Sequence, residues 1–205
     1  MNQLVEYREN NSIIDQLILT ILENINSVKK KIKKHESLVF TIGNTAFSTT
    51  NNVPYITPIR KSKDVYTLGV IVYTQFQASV ISKIVDGKVD FIFVDCEKKL
   101  PGIVNPDYSL IKKYDLQIPN NAKNSIEYGN ISSVCISIIK KTQVFTYKAN
   151  DLTVDVSWLF LSTYFKDMSG KKIVIIGPGN IGLKLSLKIV ESAADVYMCA
   201  KNIQK

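Results

Sequence analysis

The chain has 205 residues, 45% of them hydrophobic and 21% charged, which is ample for a packed core and excludes a disordered or low-complexity chain. Its formal net charge is +8. Much of that charge comes from Lys29-Lys30-Lys31-Ile32-Lys33-Lys34, a solvated run at an expected helix end, and the aromatic-interleaved basic pattern of RNA readers is absent, so no nucleic-acid partner is expected.

From the N-terminus, no apolar secretory region follows Met1, and no stretch approaches the ~20 apolar residues that span a bilayer. Cys96, Cys135 and Cys199 show no C-x-x-C spacing. A reducing, cytoplasmic location without a membrane partner is therefore expected. Residues 12–34 have helical periodicity: Ile14, Ile18, Ile21, Ile25, Val28 and Ile32 recur at spacings of four and three. Ser12 and Asp15 resemble a capping box. Such a seam packs onto its own domain or zips against a second copy of the chain to make a homodimer.

Residues 37–42 read as a strand ending at Gly43-Asn44, followed by loop-like polar residues 48–52. Pro54 and Pro58 keep the next stretch extended or irregular. Residues 66–73, 75–86 and 89–94 then read as strand, helix and strand, a βαβ unit with a parallel strand pair. Asp95-Cys96-Glu97 stands at a strand end, where ligands of parallel sheets gather. Residues 101–130 are punctuated by Pro101-Gly102, Asn105-Pro106 and Pro119-Asn120-Asn121, with room for a short helix over 106–114. Residues 131–139 and 143–147 are expected to be strands, paired as a hairpin around Lys140-Lys141. Asp151 is expected to cap a connecting helix to about Phe165, with Leu152, Val156, Leu159, Phe160 and Tyr164 on its apolar side.

The most informative stretch is Lys171-Lys172-Ile173-Val174-Ile175-Ile176-Gly177-Pro178-Gly179-Asn180-Ile181-Gly182. A β-branched run leads directly into G-x-G-x-x-G. In that position Gly177 permits the strand-to-helix turn, Gly179 lets a pyrophosphate approach the backbone, and Gly182 allows close helix packing. Phosphates would meet unpaired N–H groups at the helix N-terminus, so residues 177–182, with Pro178, Asn180 and Ile181, are the candidate dinucleotide cradle. The following residues alternate as a strand would, but the glycine context favours a helix, with Lys184, Lys188 and Glu191 in one polar stripe. A second strand over 195–200 ends at Lys201-Asn202, without the acid that usually meets a ribose 2′-OH. Lys201 and Lys205 suit a 2′-phosphate, which favours NADP over NAD, although two lysines at a chain end also serve as a solvated tip.

The ensemble is an α/β protein with an N-terminal α/β domain over 1–150 and a connecting helix with a partial Rossmann β-α-β unit over 151–205. A preceding α/β domain, a connecting helix, "SGKKIVIIGPGNIG" and a basic strand tip together resemble the shikimate dehydrogenase-like group. "AKNIQK" is similar to that group's NADP clamp, "NNVPYITPIRKSKDV" looks like its lysine loop and "KANDLTVD" like its Asn-Thr-Asp segment. The resemblance implies an NADP- or NAD-dependent oxidoreductase acting on a small hydroxyl, ketone or amino-acid-like molecule. It points to Lys61 and Asp151 as the catalytic pair and to Asn150 beside them. A lysine and a carboxylate are what relaying a proton during hydride transfer requires. With His35 as the single histidine, no multi-histidine metal site is expected.

One β-α-β is less than a Rossmann domain's two halves. The expectation is a fragment of a longer enzyme, inactive as it stands, or a sheet completed by a partner chain. Two other classes fit less well: a non-catalytic nucleotide-binding or dimerisation module, and an S-adenosylmethionine-dependent methyltransferase, which would want an acid where Lys201 stands.

Overall fold

The computed structural model describes residues 11–45, 52–102, 108–116 and 128–201. The chain divides into two compact units, Met1–Tyr147 and Lys148–Lys205, and is a mixed α/β protein with a parallel central sheet.

The first unit runs α1 (Asn11–Lys29), β1 (Ser37–Asn44), β2 (Tyr55–Ser62), β3 (Val65–Val72), α2 (Gln75–Val85), β4 (Phe91–Asp95), β5 (Lys99–Leu100), α3 (Tyr108–Lys113), β6 (Gly129–Asn130), α4 (Ile131–Ile138) and β7 (Gln143–Tyr147). Its main sheet has the order β2-β3-β1-β4-β7, all parallel except the edge strand β2. β5 and β6 form a separate antiparallel pair. Alternate strand residues Leu38, Phe40, Ile42, Leu68, Val70, Val72, Ile92 and Val94 point to one face, where α1, α2 and α4 cover them. Within α1, Ile14, Leu17, Ile18, Ile21, Ile25 and Val28 are all buried. The seam thus packs on its own domain and is not presented as a coiled-coil surface. Each fully buried isoleucine there contributes about 2–3 kcal/mol. The Asp15 carboxylate binds Lys113 Nζ at 2.7 Å and Tyr114 Oη at 2.5 Å, tying α1 to α3.

Three expectations are corrected here. β3 and β4 do not pair with each other, because β1 lies between them and pairs with both. Residues 131–138 are helix α4, not a strand. The Asn130 side chain accepts the Ser132 N–H as an N-cap, and Ile131 and Cys135, one turn apart, are both fully buried. β7 consequently pairs parallel to β4, and no hairpin forms at Lys140-Lys141. The stretch expected to be extended or irregular around Pro54 and Pro58 is the edge strand β2, in which Pro58 interrupts the register with β3 between Thr57 and Arg60 but leaves Lys61 paired.

Asp86, just past α2, holds the approach to β7 by accepting the backbone N–H groups of Lys140, Lys141 and Thr142, each at 2.9 Å. Burial alone would push its carboxyl up; the three N–H bonds outweigh that and hold it below its ordinary 3.8. A depressed folded pKa means the stabilisation is complete above the ordinary value and is lost as pH falls through the folded one. Asp86→Ala is expected to cost about 2 kcal/mol at neutral pH by urea unfolding. The gap to the parent chain should narrow in acid. A gap that does not narrow at all as the pH falls would contradict that origin.

The second unit comprises α5 (Ala149–Tyr164), β8 (Lys172–Ile176), α6 (Asn180–Val190) and β9 (Asp195–Cys199), with β8 and β9 parallel. A small core of Met168, Ile189 and Ala194 is flanked by Trp158, Leu161, Ile173, Ile175, Leu185 and Val196. The expected apolar side of α5 is not its packed side. Leu152, Val156, Leu159, Phe160 and Tyr164 are exposed, Phe160 by 71%, while Val154 is the buried residue. Trp158 and Leu161, on another side of the helix, pack on that core, and two acid–lysine pairs link α5 to α6: Asp151 with Lys184, and Asp155 with Lys188 at 2.8 Å. No described helix is long and apolar enough to cross a membrane.

Candidate dinucleotide site

β8 delivers the chain into a turn that only glycine makes without strain. Gly177 has φ +94°, the left-handed region that side chains with a Cβ avoid. Its N–H donates to Cys199 O at 3.0 Å, so the turn is fastened to the end of β9. Gly179 is the N-cap of α6 in ordinary extended backbone, φ −77° and ψ −171°, and its O accepts the Leu183 N–H. It contributes no capping side chain, and a Cβ there would meet nothing within 4 Å. The first-turn N–H groups of Ile181 and Gly182 have no partner further back in the helix, so they face the space that a side chain at 179 would fill. Gly182 is different: a Cβ on it would stand 2.4 Å from Gly177 O. Each glycine therefore answers a separate demand of turn, approach and packing.

The arrangement suits a doubly charged group. Helix N-terminal N–H groups and the positive end of the helix dipole converge on an open surface, since Gly177, Gly179, Asn180 and Ile181 are exposed and Pro178 is half-buried. Lys201 follows β9 after Ala200 and is exposed. Asn202 and Lys205 lie outside the described residues.

The two residues expected to form a catalytic pair are each engaged within their own unit. Lys61 Nζ sits 2.6 Å from Glu36 Oε1 and 4.7 Å from the centre of the Tyr66 ring. The Glu36 carboxylate, and then Tyr66, raise the Lys61 pKa, favouring its protonated form. Asp151 is in the first turn of α5, not at its N-cap, which is Lys148. Hydrogen bonding to Lys184 holds its carboxyl below the ordinary range. The signal for that contact is legible in hindsight: two acids four apart, Asp151 and Asp155, meet two lysines four apart, Lys184 and Lys188.

Among the described residues, His35, Glu36 and Asp64 bring one ligand atom each within 4.8 Å. Glu36 already accepts Lys61 Nζ and the Lys33 N–H, and His35 Nε2 lies 3.5 Å from Asp64, so the group is an ion-paired surface cluster. The Cys135 thiol is pushed up to about 11 by burial, which leaves it inert as a nucleophile.

A strand turning through glycines into a helix, with a parallel second strand, defines the class: a Rossmann-like α/β arrangement. No protein-family model matches the chain, and no curated protein matches it. Among solved structures, a dipicolinate synthase subunit from Bacillus halodurans is similar over 82% of this chain and 62% of that one, at 13% identity and a TM-score of 0.27. The chain thus spans less than two thirds of that protein's length, and likeness of this degree carries no argument about activity.

Proposed function

We propose that the Lys148–Lys205 unit binds NADP(H), or NAD(H) more weakly, and that the chain is the nucleotide-binding and substrate-binding part of an oxidoreductase for a small hydroxyl, ketone or amino-acid-like molecule. The observation that carries this reading is the turn at residues 177–182, where an unstrained left-handed Gly177 and a side-chain-free cap at Gly179 leave open space before α6. A bound nicotinamide would supply the hydride. The chain's own residues would hold the pyrophosphate through first-turn N–H groups and meet the ribose 2′-phosphate with Lys201. An S-adenosylmethionine site would place an acid where Lys201 stands, which argues against that class.

No proton-relay role is assigned to Lys61 or Asp151, because both are committed to ion pairs with Glu36 and Lys184. Among the described residues the sheet of this unit has two strands, and Val174 and Ile176 on one face are exposed by 63% and 84%. Two strands do not make a stable Rossmann sheet alone. A sheet continued at its edge by further strands, from the same polypeptide or from a partner chain, and covered on its open face by another layer, would carry the nicotinamide half.

The reading is tested by fluorescence titration with NADPH and NADH. Lys201→Glu is expected to weaken NADPH by about fivefold while leaving NADH within about twofold, since one phosphate–lysine contact at an exposed tip is worth roughly 1 kcal/mol. Equal effects on both nucleotides would remove the 2′-phosphate assignment.

A further inference from the structure

The carboxyl edge of the first unit's sheet carries a buried polar cluster that the nucleotide reading does not use. The strand order β2-β3-β1-β4-β7 reverses between β1 and β4: the chain leaving β1 returns through β2 to β3 on one side, and the chain leaving β4 proceeds to β7 on the other. In parallel sheets a crevice for ligands opens outside the strand ends at such a reversal. Asn44 ends β1 and Asp95 ends β4, and their exposures are 7% and 4%.

Asn44 Nδ2 donates to the Asp95 backbone O at 3.0 Å. A carbonyl accepts only from the nitrogen of an amide, so this bond fixes which way the amide faces. Asn44 Oδ1 is therefore left over, and it is buried without a hydrogen-bond partner among the described residues. Buried acceptors are nearly always satisfied, and an orphan in a rigid strand end calls for a donor from outside the chain. The surroundings are held firmly. Cys96 N–H donates to Tyr147 O, Asn130 Nδ2 donates to Cys96 O, and Glu97 N–H donates to Asp95 Oδ1.

Tyr147 ends β7 in register with Asp95, yet its hydroxyl lies 3.9 Å from where a Cβ on Gly43 would sit. The phenol therefore reaches across β4 to the end of β1. Burial, followed by the negative charge of Asp95, raises the Tyr147 pKa, so the hydroxyl stays protonated beside a charged carboxylate. An acceptor amide oxygen, a nearby carboxylate and a neutral phenol favour a cationic donor over an anion.

We propose that this edge, between β1 and β4, binds a small polar molecule through a primary amino group, with Asn44 Oδ1 accepting from it, the Asp95 carboxylate supplying the opposing charge and the Tyr147 hydroxyl closing the site. The inference rests on the oxidoreductase reading only in making that molecule the substrate; the binding itself is independent of any nucleotide.

The test uses the full chain and, as probes, the standard amino acids, each alongside its N-acetylated form, with putrescine and spermidine. Thermal shift finds the binders and calorimetry measures them. At least one free amine is expected to bind saturably, with its N-acetylated form about tenfold weaker or more. Asn44→Leu is expected to cost about tenfold in that affinity, and Tyr147→Phe severalfold, the latter deciding the matter should the leucine variant not fold. No binding by any probe, equal binding of blocked amines, or unchanged affinity in the folded variants would overturn the proposal, the orphan oxygen then serving a trapped water. Gly179→Glu is expected to leave amine binding intact, so failure of the nucleotide site and failure of this one give different results.

Discussion

Gly179→Glu is expected to reduce NADPH affinity by about a hundredfold or more, equivalent to roughly 2.7 kcal/mol, while changing the stability of the chain by less than about 0.5 kcal/mol. The two halves of that expectation have separate origins. The backbone at 179 is in a conformation open to any residue, and a Cβ there meets nothing within 4 Å, so folding is not disturbed. A carboxylate at a helix N-cap also agrees with the helix dipole. The same carboxylate fills the gap into which the first-turn N–H groups project and repels a pyrophosphate. Its neighbours are poorer probes. A side chain at Gly177 would be strained at φ +94°, by roughly 1–3 kcal/mol, and one at Gly182 would overlap Gly177 O. Loss of binding in those variants could follow from loss of the turn. Titration of NADPH together with a thermal melt separates the two effects at Gly179, and a variant that melts normally and binds normally would show that no phosphate occupies the turn.

Gly69→Ala is expected to destabilise the first unit by roughly 4 kcal/mol, a large part of what a domain possesses. Gly69 lies on β3 directly opposite Thr41 on β1. A methyl group there would stand 1.9 Å from Thr41 Oγ1 and 2.4 Å from Thr41 O. The first overlap is with a hydroxyl that can be removed; the second is with the backbone of a central strand. Adding Thr41→Ala to Gly69→Ala is therefore expected to recover less than half of the loss in urea unfolding. Full recovery would mean that the strands, not the side chain, accommodate the methyl.

How far the residues disclose the structure depends on which force decides each element. Where one local pattern dominates, as in the isoleucine seam of α1 or the strand-glycine-helix order at β8 and α6, the sequence is readable directly. Residues 131–138 mislead because β-branched residues favour strands by propensity, whereas a cap at Asn130 and the burial of Ile131 and Cys135 one turn apart select the helix. A parallel connection from β4 to β7 also needs a crossover element, and the adjacency of those strands is a tertiary fact. The insertion of β1 between β3 and β4 is likewise invisible locally, since either order satisfies the same alternation. On α5 the most numerous apolar residues suggest one packed face, but Trp158 and Leu161, on another side, are the ones that meet the core. The glycine turn is legible because the left-handed φ of Gly177 and the close approach of Gly182 to Gly177 O each demand a glycine; the polar edge at Asn44 and Asp95 is not, because it is assembled from strands 51 residues apart in the chain.

The central claim, that a dinucleotide pyrophosphate seats at the start of α6, is tested most directly by following backbone amide resonances during NADPH titration. Saturable shifts largest at Gly179, Ile181 and Gly182, and absent from α1 and the β2–β3 hairpin, are the predicted result. Amides of that turn left unmoved at saturating nucleotide would contradict it.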